Sequence, residues 1–178
     1  MPALCLISIP NRLPGFQDIL DPAVRARFER HWNVPIQPRY GWNLTEMFRA
    51  MDRGALTSLF VVGENPAQSD ADLSHVVRLL ESLDHLVVQE IYLTRTAQLA
   101  HVVLPASASW CEAEGTVTNS ERRVQRVRKA LEPPPGARDE LWILAELARR
   151  LGVDLGPPAA EAVWDEFRTV APGFAGGM

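Results

Sequence analysis

The most regular hydrophobic pattern lies in the middle of the chain, where three short apolar runs alternate with segments of helical spacing. The runs are Leu59–Val62, Leu86–Val88 and Val102–Leu104. Residues 70–83 place Leu or Val at positions 73, 76, 77, 79, 80 and 83, the spacing of one helix face, and residues 94–100 are predicted to be helical too. Short, continuously apolar strands between amphipathic helices predict a three-layer α/β fold, a mostly parallel sheet with helices on both faces.

Further helices are predicted on both sides of this region. Asp21 and Pro22 are a typical cap and first residue for a helix that extends to about His31. Residues 45–53 follow, capped by Asn43 or Thr45, and residues 140–151 and 159–169 are predicted helices near the C-terminus. The prediction is an irregular lead-in with one short helix (1–40), an α/β domain (41–152), and a C-terminal helix with a tail that should fray (153–178).

Composition and charge narrow the class of protein. The chain has 178 residues and a net charge of -4, which gives no overall attraction to nucleic acid or anionic lipid. The first ten residues lack the basic segment and the long apolar run of a signal peptide or membrane span. Cys5 and Cys111 form no CxxC pair, and the histidines lack metal-site spacing. We expect a cytoplasmic protein with free thiols, no bound nucleic acid, no membrane insertion and no metal ligand of its own.

Three loops that follow the predicted strands are candidates for ligand binding: residues 63–70, 89–94 and 105–110. Ligands of open parallel sheets bind beyond the carboxyl ends of the strands. In the first loop, Gly63 allows the backbone to approach a ligand, and Glu64 and Asn65 add polar groups. A nucleotide would suit this loop, but an ordinary strand-to-helix turn explains it equally well. The GxGxxG and P-loop fingerprints are absent.

Residues 111–125 form a polar, turn-prone segment after the third run. It contains three carboxylates, a glycine, an asparagine and an arginine pair within fifteen positions, and its first part, up to Asn119, is predicted to be a loop. The alternative is a solvated hairpin whose Glu121, Arg122 and Arg123 face water. RNA binding is disfavoured because the arginines lack interleaved aromatic residues.

Taken in order, these segments resemble the third domain of molybdopterin oxidoreductases. The matching segments are Gly63–Pro66, Val87–Thr94, Ala100–Pro105, Glu112–Gln125 and Leu141–Trp142, within a similarity that runs from about residue 13 to 152. Residues 13–16, 21–22 and 44–47 are similar to stretches of formate dehydrogenase alpha subunits. The resemblance implies a dinucleotide-binding-like (Rossmann- or flavodoxin-like) topology and a role in holding a molybdopterin guanine dinucleotide that carries molybdenum or tungsten.

The resemblance also implies which residues contact that cofactor. They are Gly63, Glu64, Asn65, Gln89, Glu90, Glu112, Ala113, Gly115, Asn119 and Glu140, with Asp139 as the alternative to Glu140. Three positions depart from the patterns of the relatives. Formate dehydrogenases commonly have Asp where Glu90 and His101 stand here, and related nitrate reductases have Lys where Ala113 stands.

The function implied is that of one part of a larger formate dehydrogenase, which oxidises formate to carbon dioxide. The family's iron–sulfur cysteines, its metal-ligating residue and its C-terminal domain have no counterpart in this sequence, so the partners implied are the remaining domains or subunits, which carry the iron–sulfur cluster. No catalytic residue is expected here, and the isolated chain is expected to be inactive, with or without bound cofactor. One alternative is a scaffold domain, without molybdopterin, of the large peripheral subunit of NADH-quinone oxidoreductase. Another is a stand-alone flavodoxin-like binding module.

Overall fold

A computed structural model of the chain describes residues 11–174. Within them the helices are α1 (Pro22–Trp32), α2 (Leu44–Asp52), α3 (Pro66–Ser69), α4 (Leu73–Glu81), α5 (Arg95–Leu99), α6 (Glu140–Arg150) and α7 (Ala160–Val170), and Pro172–Phe174 is a 3-10 turn. The strands are β1 (Arg12–Leu13), β2 (Gln17–Asp18), β3 (Ser58–Val62), β4 (His85–Glu90), β5 (Val102–Pro105), β6 (Gly115–Thr118) and β7 (Val124–Val127). The predictions for Cys5 and for the end of the tail, residues 175–178, lie outside the described residues.

Side-chain acceptors determine where several helices begin. Asp21 accepts a hydrogen bond from the backbone N–H of Ala23 at 2.8 Å, which confirms the predicted start of α1. Asn43, rather than Thr45, caps α2 and forms a reciprocal capping box with Glu46. No helix among residues 11–174 is long and apolar enough to cross a membrane.

The central sheet has three parallel strands in the order β3-β4-β5, which confirms the predicted α/β class. Side chains alternate between the two faces of a strand, so Leu86 and Val88 point to the same side. Both are fully buried and belong to the core formed with α2, α4 and α5. On the opposite side, Val87 is half-buried and Val102 is 41% exposed. The helices therefore bury one face of the sheet much more completely than the other.

The segment after β5 is more regular than its predicted loop. Gly115–Thr118 and Val124–Val127 pair as an antiparallel hairpin, with Val117 opposite Gln125. The β-branched residues of this segment suit a strand, and the polar residues between the two strands form the turn. The loop prediction for residues 110–119 is therefore wrong for Gly115–Thr118, and the solvated hairpin is the observed arrangement.

The lead-in and the C-terminal helix pack together. Trp32 Nε1 donates to Glu166 Oε1 at 2.9 Å, and Gln17 Nε2 donates to the carbonyl of Val170 at 3.0 Å. Phe28 is fully buried. These contacts form a second small cluster beside the main core.

Candidate functional site

The carboxyl ends of β3, β4 and β5 meet at one edge of the sheet, which we call the rim. Gly63 N–H, directly after β3, donates to the carbonyl of Gln89 at 2.9 Å. Ala106 N–H, directly after β5, donates to the carbonyl of Glu90 at 3.1 Å. The three predicted ligand-binding loops therefore begin side by side, as the parallel order requires.

Two buried polar side chains at the rim have no hydrogen-bond partner. Gln89 and Ser107 are each 1% exposed, and neither the carboxamide of Gln89 nor the hydroxyl of Ser107 finds a donor or acceptor. Leaving a buried polar group unpaired costs about 1–3 kcal/mol, so such groups are rare and call for a ligand or another specific role. Both residues lie at or just after the C-terminal end of a strand, so their polar groups are candidates for contact with a ligand at the rim.

The loop after β3 presents one free and one engaged polar side chain. Glu64 is exposed to solvent. Asn65 is half-buried, and its Oδ1 accepts hydrogen bonds from the N–H of Thr96 at 3.2 Å and from its hydroxyl at 2.8 Å. Asn65 thereby ties the loop after β3 to the first turn of α5.

The carboxylates of the next two loops make local backbone contacts. Glu90 Oε1 accepts from the N–H of Ile91 at 2.8 Å. Glu112 Oε2 accepts from the N–H of Ala108 at 2.8 Å, which folds the loop after β5 back toward the rim. Glu112 therefore shapes this loop, and Ala113 follows it in the same partly buried turn.

The start of α6 is joined to the end of β5. Arg138 N–H donates to the carbonyl of Pro105 at 3.1 Å, and Ser107 N–H donates to the carbonyl of Arg138 at 2.9 Å. Asp139 caps α6 through the N–H of Trp142 at 2.8 Å, and Glu140 is the first helical residue. These bonds place both candidate acidic positions, 139 and 140, next to Ser107.

The hairpin carries the remaining predicted contacts. Gly115 begins β6, and Asn119 closes the turn by accepting from the N–H groups of Glu121 and Arg123, both at 3.0 Å. Strand geometry puts Asn119 roughly 13 Å beyond Gly115. The carboxamide oxygen of Asn119 is therefore occupied within its own turn.

Sequence reasoning missed three residues at the rim: Thr96, Ser107 and Arg138. Ser107 follows a strand end, a position that signals a site, but only the structure shows that its hydroxyl is buried and unpaired. The Arg138 guanidinium lies 5.4 Å from the ring centre of Trp142 and supplies a positive charge beside the acidic positions of the rim. Such a fixed guanidinium suits a phosphate group.

The rim can bind a polar ligand but lacks a reactive centre. No group of three or more His, Cys, Asp or Glu residues within residues 11–174 is arranged to hold a metal ion. A separate apolar recess between α2 and β3, lined by residues such as Met47 and Phe60, offers no polar contact. The clearest pKa shift is remote from the rim, in α6, where hydrogen bonds from Arg149 and Arg150 lower the pKa of Glu146 to about 2.

Comparison with known proteins identifies a matching family model and several relatives. Residues 26–150 match the family model described as molybdopterin oxidoreductase. The F420-dependent formate dehydrogenase subunit alpha of Methanocaldococcus jannaschii is 42% identical over 171 residues, 95% of this chain and 25% of that protein. Formate dehydrogenase H of Escherichia coli is 36% identical over 170 residues, 95% of this chain and 24% of that protein.

A solved structure is also similar to this chain. Acetylene hydratase from Pelobacter acetylenicus is similar with a TM-score of 0.58 and 27% identity, over 74% of this chain and 19% of that one. The chain therefore spans about a quarter or less of the length of these relatives.

Proposed function

This chain belongs to the molybdopterin oxidoreductase family, and from that membership we propose that it forms the part of a formate dehydrogenase that holds one end of a molybdopterin guanine dinucleotide. When bound, that cofactor supplies a metal centre able to accept two electrons from formate. The proposed partners are the remaining domains or subunits of the enzyme, which carry the iron–sulfur centres and pass electrons onward. We propose that the enzyme works in the cytoplasm.

One observation carries the proposal: unpaired polar groups are buried at the strand ends of a chain from this family. The Gln89 carboxamide offers both a donor and an acceptor, and the Ser107 hydroxyl offers either. The base, ribose and phosphates of a guanine nucleotide require such groups. The residues of the rim therefore fit the nucleotide end of the cofactor.

Each rim residue has a proposed role in holding the nucleotide. The backbone at Gly63 approaches the ligand without a side chain, and Glu90 accepts from a ribose hydroxyl or a guanine N–H. Asp139 or Glu140 offers a second acceptor, and Arg138 offers a cation for phosphate. The remaining proposed contacts are made directly or through the shape of the loops around the site. Glu64 is proposed as a direct contact. The residues that shape or extend the loops are Glu112, Ala113, Gly115 and Asn119.

Guanosine diphosphate (GDP), the nucleotide end of the cofactor, provides a direct test. We expect calorimetry to detect GDP binding by the full 178-residue chain in preference to ADP, and Gln89→Leu to weaken it about tenfold. The variant should unfold at the same or a higher denaturant concentration, because leucine removes an unpaired buried amide.

The exposed Gln98 supplies the matched control. Gln98→Leu should bind GDP like the unsubstituted chain. Equal GDP affinity in the Gln89 variant, or no preference for GDP over ADP, would contradict the proposal and favour the cofactor-free scaffold role known from the NADH-quinone oxidoreductase subunit.

We expect that the isolated chain does not oxidise formate, because in this proposal the iron–sulfur centres and the residue that ligates the metal belong to the remaining parts of the enzyme. The measurement is reduction of a dye acceptor by the purified chain in the presence of formate. Turnover above that of a heat-denatured sample would contradict the assignment of the chemistry to other parts of the enzyme.

A further inference from the structure

The side chain of Asn65 has a defined orientation because of Thr96. Asn65 Oδ1 accepts from both the backbone N–H and the hydroxyl of Thr96, at 3.2 and 2.8 Å. The Thr96 hydroxyl oxygen in turn accepts from the N–H of Ala67 at 3.1 Å. Three hydrogen bonds therefore join Thr96, in α5, to Asn65 and Ala67.

These bonds distinguish the oxygen of the Asn65 carboxamide from its nitrogen. A backbone N–H can only donate, so the atom facing the N–H of Thr96 must be the carbonyl oxygen. Because the carboxamide oxygen can only accept, the Thr96 hydroxyl donates its hydrogen to the same Oδ1. The NH2 group of Asn65 is thereby turned away from Thr96, and it donates to Gln68 Oε1 at 3.0 Å.

We propose that Thr96 is a positioning residue of the rim, which fixes the Asn65 carboxamide so that its NH2 group, and not its carbonyl, is available to a ligand. An amide nitrogen carries two hydrogens, so one remains beyond the bond to Gln68. This corner of the rim then favours an acceptor oxygen, such as a phosphate or ribose oxygen, over a donor N–H of guanine. The inference rests on the proposed function and assigns the polarity of one contact within it.

Burial makes this arrangement hard to change. Thr96 and Ala67 are both fully buried, and an unpaired N–H or carbonyl there would lack water as a substitute partner. Turning the Asn65 amide over would set NH2 against the N–H of Thr96, which would lose its acceptor. The orientation is therefore a property of the fold before any ligand arrives.

Thr96→Val removes the hydroxyl while keeping the shape of the side chain, and Thr96→Ser restores the hydroxyl. NMR of the full chain should show a shifted Asn65 side-chain NH2 signal in the valine variant, and amide exchange at Ala67 faster by at least about tenfold, since its acceptor is lost. The serine variant should return both readouts to those of the unsubstituted chain. Unchanged NH2 signal and Ala67 exchange in Thr96→Val would overturn the positioning role, whether or not any nucleotide binds.

Asn65→Asp tests the polarity of the contact. A carboxylate still accepts both Thr96 hydrogen bonds, so the fold should be kept, but it presents an acceptor to the ligand in place of a donor. We expect GDP affinity in calorimetry to fall at least about tenfold for Asn65→Asp and for Thr96→Val, and to recover in Thr96→Ser.

The two arms separate the possible failures. Equal or tighter GDP binding by Asn65→Asp would overturn the assigned polarity while leaving the proposed function standing. Absence of GDP binding by the unsubstituted chain would overturn the proposed function and the ligand contact with it, and the NMR arm alone would then decide whether Thr96 orients Asn65.

Discussion

At the scale of single residues, Gly63 is constrained by its backbone conformation. Its φ is +62°, in the left-handed region that glycine adopts without penalty, and a Cβ built there would meet no atom within 4 Å. Any cost of a side chain at this position therefore comes from the backbone and not from crowding. The turn that starts the first rim loop depends on that freedom.

Gly63→Ala should lower the free energy of unfolding by about 1–2 kcal/mol, because alanine must adopt the left-handed conformation. Denaturant-induced unfolding measures this change. Gly115 is the matched control, since it also has open space around it but an ordinary φ, so Gly115→Ala should be close to neutral. Equal stability of the two variants would show that residue 63 relaxes to another conformation.

Glu146 makes stability depend on pH in the acid range. Hydrogen bonds from Arg149 lower its pKa from the ordinary 4.5 to about 2, so the folded state favours the ionised carboxylate. The contribution is therefore complete above pH 4.5 and disappears as the pH falls toward 2. Glu146→Gln should melt at a lower temperature than the unsubstituted chain at neutral pH, and the gap should close toward pH 2. A difference in melting temperature that stays constant with pH would contradict this account. Adding about 1 M salt should reduce the difference at neutral pH, because the ion pair of Glu146 is in contact with solvent.

At the scale of secondary-structure elements, His101 joins the beginning of β5 to β4. The imidazole Nδ1 of His101 accepts a hydrogen bond from the backbone N–H of Leu86, and the backbone N–H of His101 donates to the carbonyl of Leu86, both at 2.9 Å. The imidazole nitrogen therefore accepts a hydrogen bond at this junction, as a carboxylate oxygen could.

His101→Ala should lower the free energy of unfolding by about 1 kcal/mol, because the N–H of Leu86 loses its acceptor. His101→Asn should retain most of the stability, since its Oδ1 stands close to where Nδ1 lies. Chemical denaturation of both variants gives the comparison. If the asparagine variant were as unstable as the alanine variant, packing of the ring against His85, whose centre lies 6.0 Å away, would be the cause.

Local patterns predicted most elements because their causes are local. The cap at Asp21 and the apolar run at Leu86–Val88 are visible in a few neighbouring residues. Contacts such as that between Asn65 and Thr96 join positions 31 residues apart, and no spacing rule indicates them. The position of the rim could therefore be predicted from the ends of the strands. The hydrogen bonds within it could not.

At the scale of the whole molecule, the two sides of the sheet differ in what they contribute to stability. Leu86 is fully buried against the helices, whereas Val102, on the opposite face of the sheet, is 41% exposed. The continuous apolar runs predicted helices on both faces, but alternation alone could not show that Val87 and Val102 would be only partly covered. The stabilising core lies on one side.

The difference in burial between two leucines, Leu86 in the core and Leu93 at the surface, gives a paired prediction. Leu86→Ala should lower the free energy of unfolding by about 2–5 kcal/mol, because it leaves a cavity in the core. Leu93→Ala should change it by less than about 0.5 kcal/mol, because the side chain is already in water. Guanidinium titrations of the two variants provide the test, and a large loss in Leu93→Ala would mean that the folded chain buries this residue by self-association.

The order of the parallel strands has a consequence for how such a domain diversifies. Since β3, β4 and β5 lie side by side in chain order, the three loops that follow them open onto the same edge. A loop can gain or lose residues there without shifting the register of the strands beneath. Homologues can thus acquire new ligand preferences through insertions at the tips of these connections while inheriting an unaltered framework.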